Sequence, residues 1–318
     1  MSTDEPHIDC LTTGRSTPNF SISATSIGQP AVDVLAQGKN FIIRGVTSRG
    51  IFVSVDEKTI IFLSRERFKG PLIVNLPWNP VVLDQIAIKA EGRVCPRGFR
   101  FSCPDLLIDI SSAETWSALS RWNPIPLPGS TPAPTQIAHF LNLLQSRSTV
   151  PNEMVAAALQ IIDPTALLSL DESDETAKYI NQAYQAIRAS DLAALQPVVY
   201  QLAGRGRGLT PSGDDFLLGL VYGLFMFPYR FQTIRGPASA LIIATVKKRS
   251  TLISANLVEC AAVGEVDERL GAAFQALLHP EYPPEAAIRG ILGWGSSSGM
   301  DATVGMVVIV AVIEEFKG

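Results

Sequence analysis

Between Asn123 and Pro134 five of twelve residues are proline, and no regular helix or central strand can run through such a segment, because each proline fixes φ and removes a backbone N–H. The segment separates two kinds of hydrophobic pattern. Before it, short β-branched runs of strand length recur at Phe41–Val46, Gly50–Val55, Thr59–Leu63, Leu72–Leu76, Asp84–Lys89 and Leu106–Ile110. The second and third of these are joined by Asp56-Glu57-Lys58, a polar tripeptide suited to a hairpin. After it the period becomes helical: Ile137, Phe140, Leu141 and Leu144 share one face, and Val155, Ala158, Leu159 and Ile162 share another. Helices are predicted over 176–203, 213–227, 237–262, 266–278, 284–292 and 300–316.

The expected fold is α+β, and 318 residues suit two domains. A flexible extension is expected over 1–30, where Ser, Thr and Pro show no period. A small barrel- or sandwich-like β-domain then covers 31–122, a Pro-rich linker 123–135, and a mostly helical domain 136–318.

A net charge of −4 gives no overall field to attract nucleic acid or an anionic membrane, so neither is an expected partner. Cys10, Cys95, Cys103 and Cys260 are scattered, with no zinc-ligand spacing. The N-terminus lacks the basic and apolar regions of a secretory signal, so a cytoplasmic location is expected. The apolar run Met306–Ile313 falls well short of the roughly 20 residues a membrane helix needs, and a buried core helix is predicted there.

Chemistry concentrates in Gly204-Arg205-Gly206-Arg207-Gly208-Leu209-Thr210-Pro211-Ser212-Gly213-Asp214-Asp215, which leads into a strongly apolar helix. Glycines permit positive φ and close approach of backbone to a ligand. Ser212 stands as an N-cap with Asp215 three residues on, an aspartate variant of the capping box. A helix N-terminus presents free N–H groups and the positive end of a dipole to an anion, and Arg205 and Arg207 add donors for carboxylate or phosphate. The plainer alternative is a capped helix behind a tight turn, with both arginines in water.

The pattern Ser-Gly-x-Asp-x-x-x-Gly recurs. Ser212-Gly213-Asp214-Asp215 through Gly219 is matched by Ser298-Gly299-Met300-Asp301 through Gly305, 86 residues downstream, after the loop Gly293-Trp294-Gly295-Ser296-Ser297. Two such N-termini are expected to converge on one ligand, unless two similar caps have arisen independently. The residues singled out for binding are Arg205, Gly206, Arg207, Gly208, Thr210, Ser212, Gly213, Thr251, Ser254, Ser297, Ser298 and Gly299. Asp214, Asp215 and Asp301 are the acid/base candidates, and magnesium is a cofactor they would hold if they point inward together. Thr251 and Ser254, three apart on one helix face, are either a polar lining or local backbone bonding.

The motif Gly208-Leu209-Thr210-Pro211-Ser212-Gly213-Asp214-Asp215-Phe216-Leu217-Leu218-Gly219, with Thr251-x-x-Ser254 and Gly295-Ser296-Ser297-Ser298-Gly299-Met300-Asp301 downstream, resembles the signature of a bacterial domain-of-unknown-function family. That AllH-like family includes the small third subunit of oxamate carbamoyltransferase, and the resemblance runs from about residue 40 to the C-terminus, sharpest in the motif loops. It implies a subunit of a complex in anaerobic allantoin and purine breakdown, which interconverts oxalurate plus phosphate with oxamate plus carbamoyl phosphate. It also implies partner subunits. Those substrates are small anions, suited to arginines and helix N-termini. Two other readings stand beside this one: a non-catalytic ligand-binding or assembly protein, and a stand-alone metal-dependent hydrolase or transferase using Asp214, Asp215 and Asp301.

Overall fold

The computed structural model describes residues 20–77, 90–102, 105–125, 132–149, 152–163, 175–279 and 281–314. The N-terminal part is one curled, half-barrel sheet of ten strands. In chain order these are β1 (Phe20–Ser23), β2 (Ser26–Gly28), β3 (Asn40–Thr47), β4 (Gly50–Val55), β5 (Thr59–Ser64), β6 (Ile73–Asn75), β7 (Glu91–Cys95), β8 (Gly98–Phe101), β9 (Leu106–Asp109) and β10 (Glu114–Trp116). Their order across the sheet is β1-β9-β8-β7-β3-β4-β5-β6-β2-β10. Helix α1 (Gln29–Gln37) contributes Ala31 and Leu35 to the core that the sheet curls around. Phe41 meets Phe99 and Phe101 edge-on in that core.

The strand runs read from the sequence all form strands except Asp84–Lys89, which lies outside the described residues. Asp56 and Glu57 make the expected hairpin turn between β4 and β5 in the left-handed region, with φ of 46° and 59°, and Asp56 is one of the few residue types that tolerates it. Residues 20–30, assigned above to a loose extension, are instead β1, β2 and the start of α1. β1 pairs with β9 and β2 with β6 and β10. Their partners lie up to 88 positions away, a pairing that local composition does not encode.

The C-terminal part is helical: α2 (Pro134–Arg147), α3 (Glu153–Ile162), α4 (Glu175–Arg188), α5 (Leu192–Leu202), α6 (Ser212–Met226), α7 (Arg235–Arg249), α8 (Leu252–Ala262), α9 (Glu268–Leu278), α10 (Pro284–Leu292) and α11 (Ser298–Glu314). Two helices expected to be continuous are broken. The 176–203 stretch divides at Ser190, which takes a φ of 54°, and Asp191, which caps α5 through its carboxylate. The 237–262 stretch divides at Ser250 and Thr251, where Thr251 caps α8. Apolar periodicity survived both breaks because serine, aspartate and threonine are common enough on helix faces to pass unnoticed there. Of the Pro-rich linker, 126–131 lies outside the described residues and Pro134 already opens α2.

α6 and α11 form the axis of the helical part, and both are buried along nearly their whole length, the mark of central helices. Their contact runs through Gly219 and Gly305. A Cβ on Gly219 would lie 1.8 Å from the Ala302 carbonyl oxygen, and one on Gly305 would lie 1.9 Å from that of Phe216. Each contact is the other shifted by 86 residues, so the two motif copies are related by a local twofold. Among the described residues no helix is long and apolar enough to cross a membrane.

Candidate active site

The helix crossing brings the two motif loops together at one end. Thr210 Oγ1 lies 3.1 Å from Ser298 Oγ, and Ser212 Oγ lies 3.4 Å from Ser297 Oγ. The loop before α6 is shaped by Gly204, Gly206 and Gly208, at φ of 78°, 116° and 98°. At Gly206 a Cβ would also press to 2.7 Å from the Ser212 amide nitrogen. Gly213 and Gly299 let the helix starts sit against the carbonyls of Leu202 and Ile291, where a Cβ would fall at 2.1 and 2.2 Å.

Ser212 does not cap α6. The cap position is Pro211, whose carbonyl accepts from the amides of Asp214 and Asp215. Proline's fixed φ sets that turn, which frees the Ser212 hydroxyl to face Ser297 and leaves Asp215 pointing inward.

The three aspartates have different surroundings. Asp214 is buried with both oxygens occupied: one accepts from the Gly204 amide at 2.8 Å, the other from the Ser250 hydroxyl. It fastens the glycine loop to the α7–α8 junction. Asp215 is 2% exposed, and its Oδ2 has no hydrogen-bond partner. Burial holds its carboxyl well above the usual aspartate range, reinforced by the charges of Asp301 and Asp214 and opposed by the hydroxyls of Ser298 and Thr210. Asp301 is 1% exposed; its Oδ1 accepts from Asn152 Nδ2 at 2.8 Å, and its Oδ2 is unpartnered. Burial raises it too, against the pull of Asn152, Ser297 and Ser212. Each buried aspartate thus faces the first serine of the other helix, Asp215 with Ser298 and Asp301 with Ser212.

The paired helix starts do not open on one shared cavity. They stand between two. The larger, about 580 Å³, lies between the sheet and the helices and is lined by Thr210 and Ser298 together with Arg207, Gly208 and Ser296. The smaller, about 280 Å³, lies on the other flank and holds Ser212, Ser297, Asp301, Arg205 and Gly206. Arg205 and Arg207, expected to grip one anion, are therefore divided. Arg205 pairs with Glu175 at 3.3 Å and lies over the Tyr179 ring, whereas Arg207 is exposed at the mouth of the larger cavity. Thr251 and Ser254 line neither. The Thr251 hydroxyl donates to the Leu209 carbonyl at 2.7 Å and accepts from the Ser254 amide, so the pair steadies the loop from behind.

The larger cavity also contains residues that no motif or spacing singles out. From the sheet come Arg49, in the β3–β4 turn, and the stacked rings of Phe52 and Phe62. From the start of α9 comes Arg269, 5% exposed, held bidentate by Asp267 at 2.7 Å and lying over Phe68 and Trp294. Burial works against its charge, but Asp267 and Glu66 keep it firmly ionised. Its Nη1 is buried without a hydrogen-bond partner. No spacing relates Arg49 to Arg269, and only folding the sheet against the helices brings them together. Asn152 did carry a signal, an asparagine directly before an amphipathic run, and it caps α3 as such residues do.

Among the described residues no group of three His, Cys, Asp or Glu could hold a metal ion. The magnesium reading loses its ligand set, since Asp214 is turned away to Gly204 and Ser250.

No solved structure matches the chain. Residues 202–310, from the end of α5 through both motif loops and most of α11, match the family model described as oxamate carbamoyltransferase subunit AllH.

Proposed function

We propose that the chain is the anion-binding subunit of a carbamoyltransferase-type complex, and that the larger cavity holds a small anion such as carbamoyl phosphate, oxamate or oxalurate. The observation that carries this reading is the buried Nη1 of Arg269, which makes no hydrogen bond and reaches Glu66 only at an ion-pair distance of 3.9 Å, in a cavity whose lining sets Arg49, Arg207 and the glycine loop beside Glu66, Glu265 and Asp267. A buried guanidinium N–H left unsatisfied costs stability, and an incoming carboxylate or phosphate oxygen satisfies it. Apolar walls from Phe52, Phe62 and Trp294 keep water away and strengthen that attraction.

Thr210 and Ser298 offer hydroxyl donors on the same wall, and Asp215 behind them supplies a protonatable group within reach of their oxygens. Those are the parts that acyl or carbamoyl transfer requires: an anion clamp, donors for developing oxygen charge and an acid/base group. The family match over 202–310 supports a subunit role, so the reaction is assigned to the assembled complex rather than to this chain alone.

Reconstitution tests the reading. The chain is combined with the proteins encoded beside it, and phosphate release from carbamoyl phosphate plus oxamate is followed. Release that needs this chain and is lost in Arg269→Gln supports the proposal. Unchanged release without the chain, while it binds the partners normally, favours an assembly role instead.

A further inference from the structure

Alternation along a half-buried antiparallel strand ordinarily puts polar residues on the outer face. β4 and β5 depart from that rule. Ile51, Val53, Ile61 and Leu63 fill the core of the sheet, yet Phe52 and Phe62, on the opposite face, are apolar as well. They pair across the two strands with their rings stacked at 4.5 Å. Both are half-buried, and neither belongs to the sheet core or to the helical core. Asn256 holds α8 against the same hairpin, and Ile253 and Leu257 of that helix stand half-buried in the cavity wall. Trp294 adds a third ring from the loop before α11. Folding the helices against the sheet thus leaves an aromatic shelf exposed in the larger cavity.

A volume of about 580 Å³ falls within the roughly 300–1,000 Å³ of sites that enclose drug-sized ligands, whose walls are mostly apolar with a few convergent polar groups. A small anion held by Arg269 and Arg207 fills only part of that space. We propose that the shelf is a subsite for a flat aromatic or heteroaromatic ring system, so that the ligand the larger cavity holds most tightly is an anion carrying such a body. The proposal rests on the anion reading for one end of the ligand and adds the other end. A ring laid on Phe52 and Phe62 removes apolar surface from water and gains offset or edge-on aromatic contacts. An aromatic cation is a poorer match. The Glu265 carboxylate is taken by the Ser117 hydroxyl and the Ala118 amide, and that of Asp267 by Arg269, whereas Nη1 of Arg269 makes no hydrogen bond.

NMR titration of the purified full chain tests this with naphthoate as probe and inorganic phosphate as the reference anion. Acetate lacks the body, decalin carboxylate lacks its aromaticity, and naphthylmethylammonium reverses its charge. Naphthoate is expected to bind about tenfold or more tighter than acetate, tighter than the saturated acid and the cation, and to be displaced by phosphate. Phe62→Ala is expected to lower naphthoate affinity at least fivefold more than phosphate affinity. Ile253→Ala, in the first turn of α8, is expected to act in the same direction and covers the case in which Phe62→Ala does not fold. Phosphate binding with no preference for naphthoate over acetate or decalin carboxylate overturns this proposal alone. Tighter binding of the cation, naphthoate that phosphate does not displace, or indifference to both substitutions does the same. Failure of phosphate and naphthoate alike removes the anion reading and this proposal with it.

Discussion

Gly219 and Gly305 lie back to back in the crossing of α6 and α11, each occupying the space against which the other helix's carbonyl is pressed. Gly219→Ala places a methyl group 1.8 Å from the Ala302 oxygen, and backbone cannot step aside as a side chain can. Overpacking of this kind costs about 1–3 kcal/mol, and the upper end is expected here. Gly223→Ala, which meets the Ile309 side chain at 2.8 Å, is expected to cost less. Urea midpoints at constant m-value give the comparison.

Arg207→Ala removes an exposed guanidinium from the mouth of the larger cavity. Charge-assisted hydrogen bonds are worth about 1.5–3 kcal/mol, so phosphate affinity is expected to drop by about ten- to hundredfold with little change in melting temperature. Calorimetric titration with inorganic phosphate measures it. Unaltered affinity would remove Arg207 from the site.

Asp215 titrates above its unfolded value, chiefly because it is buried. A carboxyl raised in this way binds its proton more tightly in the folded state. In the window from its ordinary value, about 3.9, up to its folded value, stability therefore falls as pH rises. Asp215→Asn keeps the shape without the charge. It is expected to raise the urea midpoint at neutral pH and to leave it almost unchanged near the ordinary aspartate value, with Asp301→Asn following the same direction. A midpoint that drops equally at both pH values would contradict this.

Asn256 joins the two parts of the molecule: its Oδ1 accepts from the Ile60 amide at 2.9 Å and its Nδ2 donates to the Lys58 carbonyl at 3.2 Å. Asn256→Ala takes the partner from the buried Ile60 amide of β5 and from the Lys58 carbonyl in the turn before it, at a cost of about 1–3 kcal/mol. Because that contact forms a border of the larger cavity, phosphate affinity is expected to weaken too. Stability and binding measured on the same sample show whether the two losses go together.

Much of the fold was legible because periodicity is local. Phe41–Val46 and Ile137–Leu144 announce strand and helix through their own spacing, and Ser-Gly-x-Asp marks both helix starts. β1 and β2 were not legible, since their partners β9 and β10 arrive more than 80 residues later and nothing in Phe20–Gly28 names them. The same limit governs the site. The motif glycines, Ser298 and Asp215 were within reach of a reader of sequence. That Arg205 and Arg207 part to opposite flanks was not, because the turn at Gly206 that separates them is a dihedral rather than a pattern. Arg269 was hidden more thoroughly, since an arginine at a helix start ordinarily lies in water, and only Asp267 with the rings of Phe68 and Trp294 makes its burial tolerable.

The parallel run of α6 and α11 sets two positive dipole ends side by side, a repulsive arrangement that Asp215 and Asp301 can neutralise from within when ionised. An anion settling against Ser298 supplies that neutralising charge from outside, and the Asp215 carboxylate then repels it unless a proton is taken up. On the proposed anion reading, ligand capture is coupled to proton uptake wherever Asp215 is ionised. Binding heats for phosphate are accordingly expected to scale with the ionisation enthalpy of the buffer, and Asp215→Asn to remove that dependence, making this pair of helices a device that exchanges an internal charge for an external one.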